Sequence, residues 1–280
     1  MNFTKMHGLG NDFILVDDLN KTFPKEKAQA LAAKLCHRNA GIGGDGLIFV
    51  QRGERAPLRM SLYNSDGSMA EMCGNGIRCF ARYAYDNGFI KATEFDIETD
   101  AGIKRAVLSL DEVGGVSAVR ICMGMPILNR KDIPMTGDPE ATCRLETISA
   151  RDRNFTVSAA NTGVPHVVVF LNEPMKDEDI LRYGPALENN PAFPRRTNVN
   201  FVEVISEDAI RVRTWERGCG RTLACGTGAC ACVVLAADAG YTGRKARVEL
   251  ALGSLEVEWT QDGEIYMSGP AAYSFTGSVI

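Results

Sequence analysis

The sequence predicts an α+β protein of two pseudo-symmetric domains, each a curved, mostly antiparallel sheet or barrel wrapped around a central helix. Three observations carry this. The chain has 280 residues, enough for two hydrophobic cores. Short β-branched runs of near-alternating polarity recur along it and outnumber the helical patterns. Finally, CGNGIRCFARYAYDNG (Cys73–Gly88) has a counterpart 152 positions later in CGTGACACVVLAADAG (Cys225–Gly240). The two segments share the first Cys, both early glycines, an Ala, an Asp and the closing Gly, so one strand–loop–helix unit is used twice.

In the first half, strands are expected at Asn2–Met6, Phe13–Asp17, Leu47–Gln51, Leu58–Tyr63, Glu94–Glu98, Lys104–Leu110 and Val116–Met123. An amphipathic helix is expected over Pro24–Cys36, with Pro24 in its first turn and Ala28, Leu31, Ala32 and Leu35 on one face. In the second half, strands are expected at Phe155–Ala159, His166–Leu171, Asn200–Ile205, Ile210–Trp215, Ala246–Ala251, Ser254–Trp259 and Glu264–Ser268. The repeated helices open at Cys-Gly-x-Gly and close at Gly88 and Gly240, each suited to a left-handed C-terminal cap. The second of them, ACACVVLAADA, is apolar nearly all round and is expected to be buried on every side. The expected division is residues 1–122, rejoined by 268–280, and residues 123–267, with Cys73 in the first half and Cys225 in the second.

Composition excludes several functions. Hydrophobic residues make up 45% of the chain and charged residues 24%, the balance of a globular domain. The net charge is −4 and no basic stripe occurs, so a nucleic-acid partner is not expected. MNFTKMHGLGND carries no apolar signal core, and the longest mostly apolar run, Ala229–Ala237, is too short to span a bilayer. A cytoplasmic location and no membrane partner are expected. The nine cysteines are then free thiols, most of them small core hydrophobes. No CxxC occurs, and Cys230-Ala-Cys232 with three histidines assembles no zinc set, so no metal is expected.

The placement of Cys73 and Cys225 has chemical content. A helix N-terminus offers unpaired N–H groups and the positive end of a dipole, which stabilise a thiolate. The adjoining glycines let an anion reach those amides. Two such units facing each other could hold one small carboxylate with a sulfur on each face of its α-carbon. One thiolate removes the α-proton while the other thiol delivers a proton from the opposite side. The helix amides stabilise the enolate-like charge, and no cofactor is needed. A single Cys-Gly-x-Gly is more often structural; two copies at matching places have no packing explanation.

MHGLGNDFILVD, YNSDGSMAEMCGNGIRCFARY, NTGVPHVVVF, RRTNVNFVEV and WERGCGRTLACGTGACA together resemble the diaminopimelate epimerase family in order and spacing across nearly the whole chain. That family is similar in fold to proline racemase. The resemblance implies interconversion of LL- and meso-diaminopimelate without pyridoxal phosphate, on the route to lysine and peptidoglycan, and a small-molecule substrate. A homodimer is expected. By the same resemblance Cys73 and Cys225 are the acid/base pair, and amides of Gly74, Asn75, Gly226 and Thr227 bind the reacting carboxylate. The distal carboxylate and ammonium fall to Arg217, whose fork matches a carboxylate, to Glu216, and to Asn11, Asn64 and Asn198. His166 matches a histidine near the cysteines and either tunes one of them or is a satisfied core residue. His7, His37, Trp215 and Phe201 are expected to be structural.

The chain departs from the family at Val164, where many members have Asn before Pro-His; Asn161 is the candidate replacement. Gly46 after Asp45, Arg221 in place of an acidic residue, and the added thiol of Cys219 are further departures. The competing functions are a cofactor-independent racemase of another small amino acid, such as proline or hydroxyproline, and a thiol redox sensor or carboxylate-binding module.

Overall fold

The computed structural model describes residues 1–280. The chain folds into two compact units, Met1–Cys122 with Ser268–Ile280, and Met123–Met267.

The first unit opens with β1 (Asn2–Gly8) and β2 (Asn11–Asp17), crosses through α1 (Lys25–Leu35), and returns as β3 (Gly46–Arg52) parallel to β2. A parallel return requires such a crossover, and the amphipathic helix supplies it. β4 (Leu58–Asn64) pairs antiparallel with β3, and β5 (Met69–Ala70) doubles back on its end. Then comes α2 (Gly74–Asp86), followed by β6 (Glu94–Thr99), parallel to β4, and by β7 (Gly102–Leu110) and β8 (Val116–Gly124) in antiparallel succession. A last strand, Ala272–Ser278, comes back to pair with β1.

Each face of this sheet has its own helix. Ile14, Val16, Leu47, Phe49 and Tyr63 pack against Ala28, Ala32 and Leu35 of α1. The opposite face meets α2, which touches β1, β2, β3, β4 and β7. One helix reaches five strands only if the sheet wraps it. With both faces covered, β3 is buried from Gly46 to Gln51 and reads as a continuous apolar run rather than an alternating one.

The second unit comprises β9 (Cys143–Ala150), β10 (Arg153–Asn161), β11 (Pro165–Phe170), α3 (Asp177–Glu188), β12 (Asn198–Ser206), β13 (Ala209–Glu216), β14 (Gly220–Thr222), α4 (Gly226–Ala239), β15 (Lys245–Leu250), β16 (Gly253–Trp259) and β17 (Ile265–Gly269). The strand Ala272–Ser278 is β18. The pairings reproduce those of the first unit. β11 and β12 are parallel across α3, β12 and β13 antiparallel, β13 and β15 parallel across α4, and β15 and β16 antiparallel. β9 closes against β10 as β18 closes against β1. The 152-residue offset seen in the helices thus carries through β3 and β4 to α1, whose start at Lys25 matches Asp177 of α3. Register is kept where it matters most: Leu47 faces Tyr63, and Val199 faces Trp215 at the same offset.

α4 is buried along Gly228–Ala236, as its apolar composition requires, and Gly88 (φ 70°) and Gly240 (φ 80°) take the left-handed conformation after their helices. Phe201 lies in the core and Trp215 packs at its margin, its Nε1 donating to Glu188 at 2.7 Å.

Among the elements not expected are α3, β9, β5 and β14. α3 contains Gly184 and Pro185, both helix breakers, yet Gly184 is where Trp215 lies so close that an added Cβ would sit 2.7 Å from the indole ring. Tertiary packing overrides propensity there. β9 carries four charged or hydroxyl side chains among its eight residues, and its buried positions are irregular. β5 and β14 are short hairpin arms that carry no periodic signal.

Candidate active site

Both cysteines are the N-cap residues of their helices, in extended backbone conformation (φ −137° for Cys73, −122° for Cys225). In each case the cysteine carbonyl accepts the first helical hydrogen bond, from Ile77 and from Ala229, both at 2.9 Å. The amides of Gly74 and Asn75, and of Gly226 and Thr227, therefore lie in the first turn, ahead of the ladder of helical hydrogen bonds. Gly228 must lack a side chain: an added Cβ would stand 2.5 Å from Asn200 Oδ1 and 3.3 Å from Cys225 Sγ.

In the second unit Cys225 Sγ accepts the Gly228 N–H at 3.4 Å, the hydrogen bond that Ser or Asp makes at ordinary N-caps. It also lies 3.4 Å from Thr227 Oγ1. That hydroxyl is 3.0 Å from His166 Nε2, and His166 Nδ1 is 3.1 Å from Asn200 Nδ2. Asn200 Nδ2 also donates to Val167 O, and its Oδ1 accepts from Thr214 Oγ1 at 3.0 Å. His166 has no solvent exposure. Burial, aided by the charge of Arg217, pushes its pKa down to about 3, so the ring is neutral.

In the first unit Cys73 Sγ donates to Asn11 Oδ1 at 3.5 Å, and Asn75 Nδ2 donates to the same oxygen at 3.1 Å. Asn11 is held by its other end, Nδ2 donating to Asp45 at 2.6 Å. Asp45 accepts from the Asp12 amide and pairs with Arg38, which also pairs with Asp12. Burial would raise the Asp12 carboxyl, but hydrogen bonds from Arg38 and Lys5 override it and hold it well below the usual carboxylate range. The fully buried Arg78 donates to Gly74 O at 3.1 Å and to Pro270 O at 3.2 Å, and so fixes the first turn of α2.

The remaining predicted residues fall into smaller groups. Asn198 Nδ2 donates to Pro165 O, and its Oδ1 accepts the Arg217 N–H at 2.9 Å. The Arg217 guanidinium reaches Arg195 O at 3.2 Å, and Glu216 accepts from Thr222 Oγ1 at 2.6 Å. Asn64, at the exposed end of β4, donates to Ser68 Oγ. Asn161 uses both ends of its amide locally: Nδ2 donates to Asp132 O and Oδ1 accepts from Gly163 N–H. Arg221 pairs with Asp177 at 2.7 Å. Cys36, Cys79 and Cys143 are plain core thiols, and burial pushes Cys36 up to about 11 and Cys79 and Cys143 up to about 12, whereas Cys219 is exposed. No group of three or more His, Cys, Asp or Glu is placed to hold a metal ion, and no helix is long and apolar enough to cross a membrane.

A family model described as diaminopimelate epimerase matches residues 3–128 and 158–274. The chain belongs to that family. A diaminopimelate epimerase of Moorella thermoacetica is 47% identical over 278 residues, which cover 99% of this chain and 98% of the relative. Among solved structures, a hydroxyproline epimerase from Agrobacterium vitis with bound trans-4-hydroxy-L-proline superposes with a TM-score of 0.71 at 15% identity, covering 99% of this chain and 91% of that one. A Bacillus anthracis phenazine biosynthesis protein of the PhzF family gives 0.70 at 18%, covering 100% and 99%. At such identities these two structures share the fold alone.

Against this diaminopimelate epimerase background, four side chains around the cysteines escaped sequence reasoning: Asn200, Asp45, Arg78 and Thr162. Thr162 Oγ1 donates to Thr227 O at 2.8 Å. Two of the four had a readable signal. Asn200 interrupts a β-branched run two places after Asn198, and Arg78 stands between Ile77 and the apolar run Cys79-Phe80-Ala81.

Proposed function

We propose that this chain epimerises LL-diaminopimelate to meso-diaminopimelate without pyridoxal phosphate, with Cys73 and Cys225 as the two acid/base groups. The observation that carries the reading is the repeated cap: each sulfur stands at the N-terminus of a buried helix, beside the first-turn amides of Cys-Gly-x-Gly. Full-length similarity to a diaminopimelate epimerase supports the substrate.

In this reading one sulfur, as thiolate, takes the α-proton. The other, as thiol, gives its proton to the opposite face of the same carbon. The two sulfurs have then exchanged protonation states, and the reverse reaction restores them. The α-proton is a very weak acid, so the step depends on donors that strengthen as charge reaches the carboxylate. The amides of Gly74, Asn75, Gly226 and Thr227 have that role. Arg217 and Glu216 suit a substrate whose far end carries a carboxylate and an ammonium, which proline and hydroxyproline lack. Asn11, Asn64 and Asn198 are assigned to the same end of the substrate. A cytoplasmic homodimer belongs to the same reading, and light scattering of the purified chain reads the dimer.

The test supplies pure LL-diaminopimelate in deuterated water with no added cofactor. The expected result is meso product carrying deuterium at one α-carbon. Cys73→Ala and Cys225→Ala should each remain folded and lose turnover by about 10²–10⁴-fold or to background. Near-normal turnover in either variant removes that cysteine from the reaction.

A further inference from the structure

Glu216 and Arg217 lie where β13 turns into β14, and the tip of that turn, Gly218 and Cys219, is exposed. An exposed turn moves unless something beneath it holds it. Here the support is a single carboxylate. Glu188, the last residue of α3, is only 5% exposed, and three donors converge on it. Its Oε2 accepts from Trp215 Nε1 at 2.7 Å. Its Oε1 accepts from the Gly218 N–H at 3.0 Å and from the Arg196 guanidinium at 3.1 Å. Trp215 and Gly218 flank Glu216 and Arg217, so the carboxylate pins the turn on both sides of that pair. Between the two points Asn198 Oδ1 holds the Arg217 N–H at 2.9 Å.

The surrounding backbone is shaped to this arrangement. Gly184, one helical turn before Glu188, lets the Trp215 indole lie where a Cβ would stand 2.7 Å from the ring. Gly218 (φ 77°) and Arg196 (φ 60°) both take the left-handed conformation, which costs glycine little but is rare for arginine. The Arg196 N–H is fixed on Phe193 O at 2.8 Å, and its side chain brings a cation to a carboxylate that would otherwise be a lone buried charge.

The repeat shows that the fold does not require this support. At the 152-residue offset Cys36 stands in the place of Glu188, Ala32 in that of Gly184, Gly44 in that of Arg196 and Tyr63 in that of Trp215. The corresponding turn of the first unit closes on itself. Gly67 N–H donates to Asn64 O at 3.0 Å, and Asp66 accepts from the Ser68 N–H at 2.8 Å and from its hydroxyl at 2.6 Å. The same strand–turn–helix unit thus forms without a carboxylate beneath its turn.

We propose that Glu188 is a positioning residue for substrate recognition, fixing the Trp215–Gly218 turn so that Arg217 is aimed before the substrate arrives; its catalytic meaning rests on the function proposed above. Both of its oxygens must accept. A glutamine of the same shape has one carbonyl oxygen, and its NH2 would face either Trp215 Nε1–H or the Gly218 and Arg196 donors. A turn ordered in advance lowers the cost of ordering it on binding, so its loss is read in KM rather than in kcat.

The experiment compares wild type, Glu188→Gln, Arg217→Met and the double variant by steady-state kinetics with diaminopimelate. Deuterium exchange of backbone amides in the substrate-free chain is followed in parallel by mass spectrometry of peptides spanning the turn. Glu188→Gln should raise KM about 10-fold with kcat within about 2-fold of wild type. Amides of the turn should exchange about 10-fold faster, while those of β12 keep the wild-type rate. In the Arg217→Met background the same change should raise KM by less than about 3-fold, because the residue it serves is gone. If Glu188→Gln does not fold, Trp215→Phe keeps a ring against Gly184, removes one of the donors, and should raise KM about 3-fold with faster exchange in the turn. A lowered melting temperature with unchanged KM is the mark of a merely structural residue and overturns the proposal. Unchanged exchange in the turn, or fully additive effects of Glu188→Gln and Arg217→Met, overturns it as well. The exchange measurement needs no turnover, so failure of the epimerase reading, seen as wild-type protein that does not label diaminopimelate in deuterated water, is recognised separately.

Discussion

Cysteine is an unusual N-cap, and the two copies differ: the Cys225 sulfur does what a cap oxygen does, whereas Cys73 makes no side-chain cap hydrogen bond. Cys225 accepts the Gly228 N–H, so the atom proposed for acid/base work is also the helix cap. Arg217 is a different kind of residue. Its backbone N–H is fixed by Asn198, but its guanidinium holds only a carbonyl, that of Arg195, and is free to exchange that partner for a carboxylate. Arg217→Met should raise KM for diaminopimelate by roughly 10–100-fold, the worth of a charge-assisted pair, with kcat changed far less. Steady-state kinetics read the split; an unchanged KM removes Arg217 from the site. The sequence exposed the cysteines because two copies of one motif are improbable by packing alone. It did not expose Asp45, and marked Asn200 only as a polar break in a β-branched run, because a side chain that acts through a neighbour has no spacing rule. Their partners, His166 and Asn11, are distant in sequence and adjacent only through strand pairing.

At the scale of elements, the repeat was legible wherever it carries the helix starts, and less so toward the edges of each sheet. α3 was hidden by Gly184 and Pro185, although Asp177, Glu178 and Asp179 in its first turn suit the positive end of a helix. Its N-terminus also explains Arg221: the residue that departs from the family pattern pairs with Asp177. The two central helices should respond differently to the same substitution. Gly228→Ala forces a methyl onto Asn200 Oδ1, which is buried and hydrogen-bonded, and should cost about 1–3 kcal/mol of overpacking as well as breaking the chain to His166. Gly76→Ala meets the terminal methyl of Ile48 at 3.2 Å, which can yield, and alanine's better helix propensity offsets part of the cost. Thermal midpoints should therefore fall clearly for Gly228→Ala and by much less for Gly76→Ala. Equal losses would show that Asn200 moves as easily as Ile48 and is not a fixed support.

Over the whole molecule, the two units share one strand order reached by different chain paths. The strand that closes the second sheet, β9, comes before the rest of its unit, while the strand that closes the first, β18, comes from the other end of the chain. The first unit is therefore complete only when residues 268–280 have been made. Acid stability is likewise a property of the whole fold, since both units bury groups in the form that low pH removes. His166 is neutral with a pKa near 3 because burial, and secondarily Arg217, oppose its charge. In the unfolded chain it titrates near 6.5, so between those values the unfolded state binds more protons and stability rises with pH. Its contribution is fully present above 6.5 and is lost as pH falls toward 3. Glu98 acts in the same direction lower down. Amide hydrogen bonds from Arg55 and Glu54 hold it at about 2, so its contribution is present above its ordinary 4.5 and disappears as pH falls through 2. Urea unfolding followed from pH 7 to 4 should lose stability on the order of a few kcal/mol, and the part lost above pH 5 comes before Glu98 titrates in the unfolded chain. His166→Gln, which cannot gain a proton, should flatten that part of the curve while leaving the steep fall below pH 4 in place. A His166→Gln curve parallel to wild type from pH 6.5 to 4 would mean that the buried ring is not what the protein defends against acid.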